Sequence, residues 1–157
     1  MDERRYKAFI SYSHRDERWA RWLQRMLERY RVPKRLVGRS TPHGEVPARL
    51  RPVFRDREDL SSAADLSARI KQELAASENL IVICSPAAAE SRWVNEEIRH
   101  FRELGREDRI LAVVVDGDPQ ADSASGGCFP PALLESEDGP RREPLAADVR
   151  RYNDGRH

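Results

Sequence analysis

Two hydrophobic patterns alternate along the chain: short apolar runs, and longer segments with apolar residues at helical spacing. The apolar runs predict strands at residues 6–12, 50–54, 79–84 and 109–115. The last two are equally apolar and uninterrupted, which is typical of strands that are buried on both faces of a parallel sheet. Pro52 indicates that the second strand lies at an edge of the sheet, or that the proline marks its start.

The most strongly amphipathic segment follows the first strand. Ser13 or Asp16 is a natural N-cap for it, and apolar residues then recur at helical spacing from Trp19 to Tyr30. This predicts a helix of about four turns. We expect Trp19 and Trp22 to anchor the core rather than to form an exposed stacking platform.

The remaining pattern indicates the fold class. A second helix is predicted at residues 63–74 and a third around Trp93, so strand and helix alternate through residue 115. That order predicts an α/β fold with a parallel sheet and right-handed crossovers. Residues 31–50, rich in Arg, Pro and Gly, are predicted to form a loop longer than such a connection needs.

The pattern weakens towards the C-terminus. Residues 119–157 are predicted to be mostly irregular, with a short helix at 131–134 and a weak edge strand at 145–149. We expect one domain over residues 1–157, with its core at about 5–118. A doubly wound sheet normally has a further helix after its last strand, so we expect that the final helix is missing and that the chain is cut from a longer multidomain protein.

Charge and cysteine content exclude several classes of protein. In 157 residues, Lys and Arg total 28 and Asp and Glu total 27, a net charge of +1 that does not indicate direct nucleic-acid or membrane binding. No apolar run approaches the roughly 20 residues of a membrane span. Cys84 and Cys128 lack the spacing of a metal site or a disulfide framework. Cys84 is expected to be a buried thiol, and the compartment a reducing cytoplasm.

One carboxylate is predicted to point inward from the third helix. At about 100° per residue, Glu97 falls within the apolar arc that begins at Trp93, whereas Glu96 falls outside it. A buried carboxylate costs free energy unless it is paired, neutralised or faces a cleft. From the helix alone, a glutamate that reaches solvent or meets an arginine is the simpler interpretation.

Three polar segments are expected to meet at one edge of the sheet. Residues 11–16, 55–62 and 85–97 each follow a predicted strand, and ligands of open parallel sheets bind at the carboxyl ends of the strands. The chain has no glycine fingerprint for nucleotides, no zinc-ligand spacing and no G-x-S-x-G nucleophile motif. A receiver-like phosphoacceptor is also disfavoured, because Cys84 and Ser85 stand where the third strand would need an aspartate.

Together these segments resemble the bacterial TIR (Toll/interleukin-1 receptor) domain family. Residues 6–13 (YKAFISYS) resemble its first box, and residues 54–60 (FRDREDL) its second, although serines 61 and 62 replace the usual Pro-Gly. Residues 83–97 (ICSPAAAESRWVNEE) resemble its S-P…S-x-W-x-x-x-E stretch. The order and spacing of all three boxes are more specific than any one of them.

The resemblance implies a fold and an activity. The fold is flavodoxin-like, a three-layer sandwich whose parallel sheet has about five strands in the order 2-1-3-4-5. The activity is NAD⁺ hydrolysis, with Glu97 as the catalytic residue, NAD⁺ as a substrate rather than a cofactor, and no metal. The products would be nicotinamide and either ADP-ribose or a cyclic isomer.

The resemblance also assigns roles around Glu97. Trp93 either limits water access and stacks on nicotinamide or simply fills the core, and Asp56 either orients a ribose or holds its loop; both alternatives stay open. Phe9 is more simply a core residue. The predicted substrate-binding residues are Ser11, Tyr12, Ser13, His14, Arg15, Asp56 and Trp93. The predicted assembly loop contains Arg55, Arg57, Glu58, Asp59 and Leu60.

Two functions follow from the resemblance. The first is an NAD⁺ glycohydrolase that acts as the effector of a bacterial antiphage defence, is activated by self-association and is fused to a sensor or effector domain. The second is a non-enzymatic TIR–TIR adaptor module that signals by docking other TIR domains through residues 55–65. An inward-facing Glu97 favours the enzyme.

Overall fold

Helices and strands alternate through the computed structural model, which describes residues 5–55, 66–135 and 146–150. In chain order the elements are β1 (Tyr6–Ser11), α1 (Glu17–Arg29), β2 (Ser40–Thr41), β3 (Gly44–Glu45), β4 (Val53–Arg55), α2 (Ala68–Ala75), β5 (Ser77–Cys84), α3 (Pro86–Glu90), α4 (Arg92–Glu103), β6 (Ile110–Val114), α5 (Pro131–Leu134) and β7 (Ala146–Asp148).

The main sheet is parallel throughout its described part, with strands in the order β4-β1-β5-β6-β7. Leaving aside the β2–β3 hairpin, this is the predicted order 2-1-3-4-5. β1 lies between β4 and β5, where Phe9 is in register with Phe54 of β4 and Leu80 of β5. β4 is an edge strand that begins just after Pro52, which confirms what the proline indicated.

Each face of the sheet carries its own apolar core. The first core lies under α2, α4 and α5 and contains Phe9, Leu80 and Phe101. The second lies under α1 and contains Ala8 and Ile10. Because successive side chains of a strand point to opposite faces, β1 supplies both cores in alternation. The three-layer α/β fold expected from the sequence is confirmed.

The helix α1 packs on the sheet through fewer residues than its pattern predicted. Ala20 and Leu23 are buried, but Trp22 is 41% exposed and Trp19 is only partly buried. The two indole rings meet edge to face with their centroids 5.6 Å apart. The prediction that both tryptophans anchor the core is therefore wrong for Trp22, since helical spacing identifies an apolar stripe but not what covers it.

Residues 31–50 form a strap, as we name this segment, that crosses the amino ends of the strands. Its β2–β3 hairpin brings His43 close to the start of β6, where the Arg109 guanidinium donates to the His43 carbonyl at 3.2 Å. A cavity of about 290 Å³ lies between the strap and the sheet, with exposed Leu111 in its lining. The expectation that β6 is as buried as β5 is thus wrong, because Leu111 is 41% exposed.

The C-terminal part folds back onto the domain. The short helix α5 and the edge strand β7 lie where the sequence predicted them. The five-residue α3 was not predicted. Among the described residues, no helix is long and apolar enough to cross a membrane. The expected absence of a final helix concerns residues 151–157, which lie outside the described residues.

Candidate active site

The helix α4 places Glu97 in the interior and Glu96 at the surface. Glu97 is 5% exposed, whereas the side chain of Glu96 is 38% exposed and lies 3.8 Å from Arg92. The helix begins where the Ser91 hydroxyl accepts a hydrogen bond from the amide of Val94. The helical geometry predicted this difference between the two glutamates, and the interpretation that Glu97 reaches solvent is wrong.

Ser11, the last residue of β1, meets Glu97 across the packed interface. Its hydroxyl donates to Glu97 Oε1 at 2.8 Å, and Ser11 is fully buried. Ser11 follows Phe9 on the same face of the strand, so its side chain points towards α4. Because a buried carboxylate must be hydrogen-bonded to be tolerated, this contact stabilises Glu97 in its inward position.

A second hydrogen bond joins the same two parts of the chain. The Ser85 hydroxyl, directly after β5, donates to Asp16 Oδ2 at 2.5 Å. Burial raises the pKa of the Asp16 carboxyl, the bond from Ser85 lowers it, and the nearby Asp116 raises it again. Neither residue was among the predicted site residues. The sequence signal for both is only that they follow strand ends, and Asp16 is there equally a candidate helix cap.

Tyr12 lies on the opposite face of the sheet from Ser11 and Glu97. It packs against the second core, under α1, and its hydroxyl accepts from Arg55 at 3.4 Å. Arg55 also donates to Gln24 at 3.0 Å. The structure therefore does not bring Tyr12 to Glu97, because neighbouring residues at the end of a strand alternate in direction.

Four further predicted binding residues lie at the carboxyl edge of the sheet: Ser13, His14, Arg15 and Trp93. The Ser13 side chain accepts from the amide of Arg15 at 3.4 Å, which caps the turn at His14–Asp16. His14 and Arg15 are exposed there. Trp93, one turn before Glu97, is partly buried against the first core, and the Arg92 guanidinium lies 5.1 Å from the centroid of its ring.

Only one of the predicted assembly-loop residues is described. The side chain of Arg55 is 5% exposed and its guanidinium lies 3.7 Å from Glu17, so it holds the end of β4 against α1. The other assembly residues, Arg57, Glu58, Asp59 and Leu60, lie outside the described residues, as does Asp56 of the predicted binding set. Their predicted roles stay predictions.

The cysteines are structural. Cys84 and Cys128 are both free and fully buried. Burial raises the pKa of the Cys84 thiol, and it raises that of Cys128 to about 11. The prediction of a buried core thiol at Cys84 is confirmed. Within residues 5–55, 66–135 and 146–150, no group of three His, Cys, Asp or Glu side chains is placed to hold a metal ion.

Comparison with known proteins relates the chain to a protein family and to a named relative. A family profile described as "Thoeris protein ThsB, TIR-like domain" matches residues 9–120. The chain is 36% identical over 141 residues to "NAD(+) hydrolase ApTIR" of Actinoplanes sp. (strain ATCC 31044 / CBS 674.73 / SE50/110). That alignment covers 82% of this chain but 18% of the relative, so this chain spans only a small part of the relative's length.

Proposed function

Because the chain belongs to the TIR-like domain family of the Thoeris protein ThsB, we propose that it hydrolyses NAD⁺ at the nicotinamide–ribose bond. The observation that carries this proposal is the buried Glu97 carboxylate, held by Ser11 at the carboxyl edge of a parallel sheet. The name of the relative, NAD(+) hydrolase, supports the substrate.

One carboxylate is enough for this reaction. The nicotinamide of NAD⁺ is already cationic and leaves as a neutral molecule, so no general acid has to protonate it. An ordinary glycosidase needs two carboxyl groups because its leaving oxygen must be protonated. Glu97 stabilises the positive charge that develops on the ribose and accepts hydrogen bonds from the ribose hydroxyls.

Ser11 keeps the carboxylate in position for that role. Its hydroxyl donates to Oε1 and so fixes the orientation of the carboxylate. The donor is itself fully buried in the first core, so the carboxylate is oriented by a rigid strand rather than by a loop. A preorganised charge of this kind needs no reorganisation when the ribose becomes cationic.

The substrate lies along the edge formed by residues 13–15 and Trp93. Arg15 and His14 are exposed and suit the pyrophosphate and ribose, and Ser13 fixes the turn that presents them. Trp93 flanks the carboxylate on the same helix. Asp56 belongs to the proposed site as well, either at a ribose or as a support for its loop.

The cellular role follows the family. We assign the chain to the cytoplasm as an effector of bacterial antiphage defence, activated when TIR domains self-associate. Its partners are other copies of the domain and a fused sensor or effector region. The product is either ADP-ribose or a cyclic isomer.

Comparing the two neighbouring glutamates tests the proposal. Glu97→Gln is expected to lower NAD⁺ turnover about 10²- to 10³-fold, the scale of one preorganised electrostatic group. Glu96→Gln, on the same helix and already at the surface, is the matched control and is expected to keep the wild-type rate. Nicotinamide release is measured at high protein concentration, so that self-association is not limiting. Equal rates in the two variants contradict the assignment.

A TIR–TIR adaptor is the second candidate, because the low exposure of Ser11 and Glu97 is also compatible with a non-enzymatic module. Ser11 and Glu97 contact each other and expose 0% and 5% of their surface, as residues with a purely structural role also do. Self-association without nicotinamide release at any protein concentration supports the adaptor. Turnover that depends on Glu97 excludes it.

A further inference from the structure

We propose that Asp16 is a positioning residue which, through Ser85, holds residues 13–15 next to the α3–α4 unit that carries Glu97. This inference rests on the proposed function, because the purpose of the positioning is to keep the substrate edge next to the catalytic carboxylate. It adds a residue pair to the site that lies outside the predicted binding and catalytic residues.

The Ser85 hydroxyl is fixed by two partners at once. It accepts from the amide of Ala88 at 3.0 Å, which caps the first turn of α3, and it donates its own proton to Asp16. Ser85 is 2% exposed, so water does not replace either partner readily. The first turn of α3 cannot shift relative to Asp16 without breaking one of these bonds.

Asp16 makes this contact instead of stabilising its own helix. It directly precedes α1, where an aspartate normally accepts from the first amides of the helix, yet its side chain makes no such cap bond. Its carboxylate reaches across to the β5–α3 turn, a contact between residues far apart in the chain. The Asp16 side chain therefore does not stabilise the first turn of α1. It connects the start of α1 to the β5–α3 turn instead.

The Asp16–Ser85 bond, which we call the tie, and the Ser11–Glu97 bond together hold the short segment of residues 12–15 at both ends. Ser11 is bonded to α4, and Asp16 is bonded to the turn that leads into α3. The residues between them, 12–15, include the side chains assigned to the substrate. Because Asp16 acts on the binding segment and not on the reacting atoms, its loss affects KM more than kcat.

Two substitutions at Asp16 test the tie. Asp16→Ala removes the acceptor of the Ser85 proton and is expected to raise the KM for NAD⁺ about tenfold, as the loss of a hydrogen bond to a charged group does. Its kcat is expected to stay within about threefold of wild type, because Glu97 keeps its partner. Asp16→Asn retains an acceptor oxygen, so its KM is expected to lie close to the wild-type value. Glu90→Ala, at the exposed end of α3, is the control.

Hydrogen–deuterium exchange of the whole chain gives a readout that needs no turnover. Asp16→Ala is expected to speed exchange at the amides of residues 87–90, and Asp16→Asn to leave it near wild type. If Asp16→Ala does not fold, Ser85→Ala removes the donor of the same bond and is expected to raise the KM in the same way. An Asn variant as impaired as the Ala variant, or wild-type KM and exchange in Asp16→Ala, overturns the tie. A wild-type chain without any turnover overturns the proposed function instead, and exchange alone then decides about the tie.

Discussion

Glu97 is tolerated in the interior because a specific donor reaches it. The first core around it is made of aliphatic and aromatic side chains. Burying a polar group without a hydrogen bond in such surroundings costs about 2–7 kcal/mol, and burying an unpaired charge costs more. Ser11 supplies a short hydrogen bond from the neighbouring strand. The carboxylate is therefore fixed by packing and by hydrogen bonding together.

The position of this glutamate was predictable, but its partner was not. The helical period of 3.6 residues places Glu97 on the apolar face of the helix and Glu96 outside it, and this follows without any knowledge of the fold. The contact with Ser11 joins residues that are 86 positions apart, and it depends on which strand lies beside α4. The bond between Asp16 and Ser85 depends on the fold in the same way.

Asp16 is expected to make stability depend on pH. Burial and Asp116 raise its pKa above the ordinary value of 3.8, although the bond from Ser85 lowers it. The folded state therefore binds this proton more tightly than the unfolded state does, and the resulting stabilisation is present at low pH and is lost as pH rises through the raised pKa. The Tm of the wild type minus that of Asp16→Asn is expected to fall as the pH rises from below the ordinary pKa of 3.8 towards neutrality. A difference that does not change with pH contradicts this expectation.

At the scale of elements, the serines of the S-P…S-x-W stretch are helix caps. Ser85 begins α3 and Ser91 begins α4, each by accepting a hydrogen bond from an amide in the first turn. Two caps in close succession let the chain turn sharply between two helices, and this turn aims Glu97 inward. The positions of the two serines in the motif therefore have a structural reason, the capping of α3 and α4, besides the catalytic role that we propose for Glu97.

Helices and strands with strong periodicity were predictable, and weakly marked elements were less so. The alternation of patterns predicted the parallel sheet, the family resemblance implied its strand order, and Pro52 indicated the edge position of β4. α3 has five residues, too few for a helical period to be recognised. The exposure of Trp22 and Leu111 depends on which surfaces are covered, which a single segment does not reveal.

Asn95 links α4 to α5 and is expected to be important for stability. Its side-chain oxygen accepts from the amide of Ala132 at 2.9 Å, and its amide group donates to the Ser91 carbonyl at 2.9 Å. Asn95→Ala leaves buried groups unpaired and is expected to lower the free energy of unfolding by about 1–3 kcal/mol. Urea denaturation measures this change. Glu96→Ala, the next residue on the helix, is the control, and an equal loss in both variants contradicts the assigned role.

At the scale of the whole molecule, the two ends of the sheet have separate tasks. Ser11, Ser85 and Glu97 lie at the carboxyl ends of the parallel strands, and the strap crosses the amino ends. The strands between them are packed on both faces by the two cores. Changes in the strap are therefore expected to leave the site intact.

Arg109→Ala tests this separation. It removes the bond from the guanidinium to the His43 carbonyl, so trypsin is expected to cleave the arginine-rich strap faster. The kcat and KM for NAD⁺ are expected to stay within about twofold of wild type, since distant sites without shared partners act independently. A loss of turnover comparable to that of Glu97→Gln contradicts the separation of the two ends.

The attachment of the strap to β6 also constrains the order of folding. The donor and acceptor of the Arg109–His43 bond are 66 positions apart, although the strap only connects α1 to the neighbouring β4. That bond cannot form until β6 has joined the sheet, and closing such a distant contact costs chain entropy before it contributes any stabilisation. The contact between the strap and β6 is therefore expected to form late in folding.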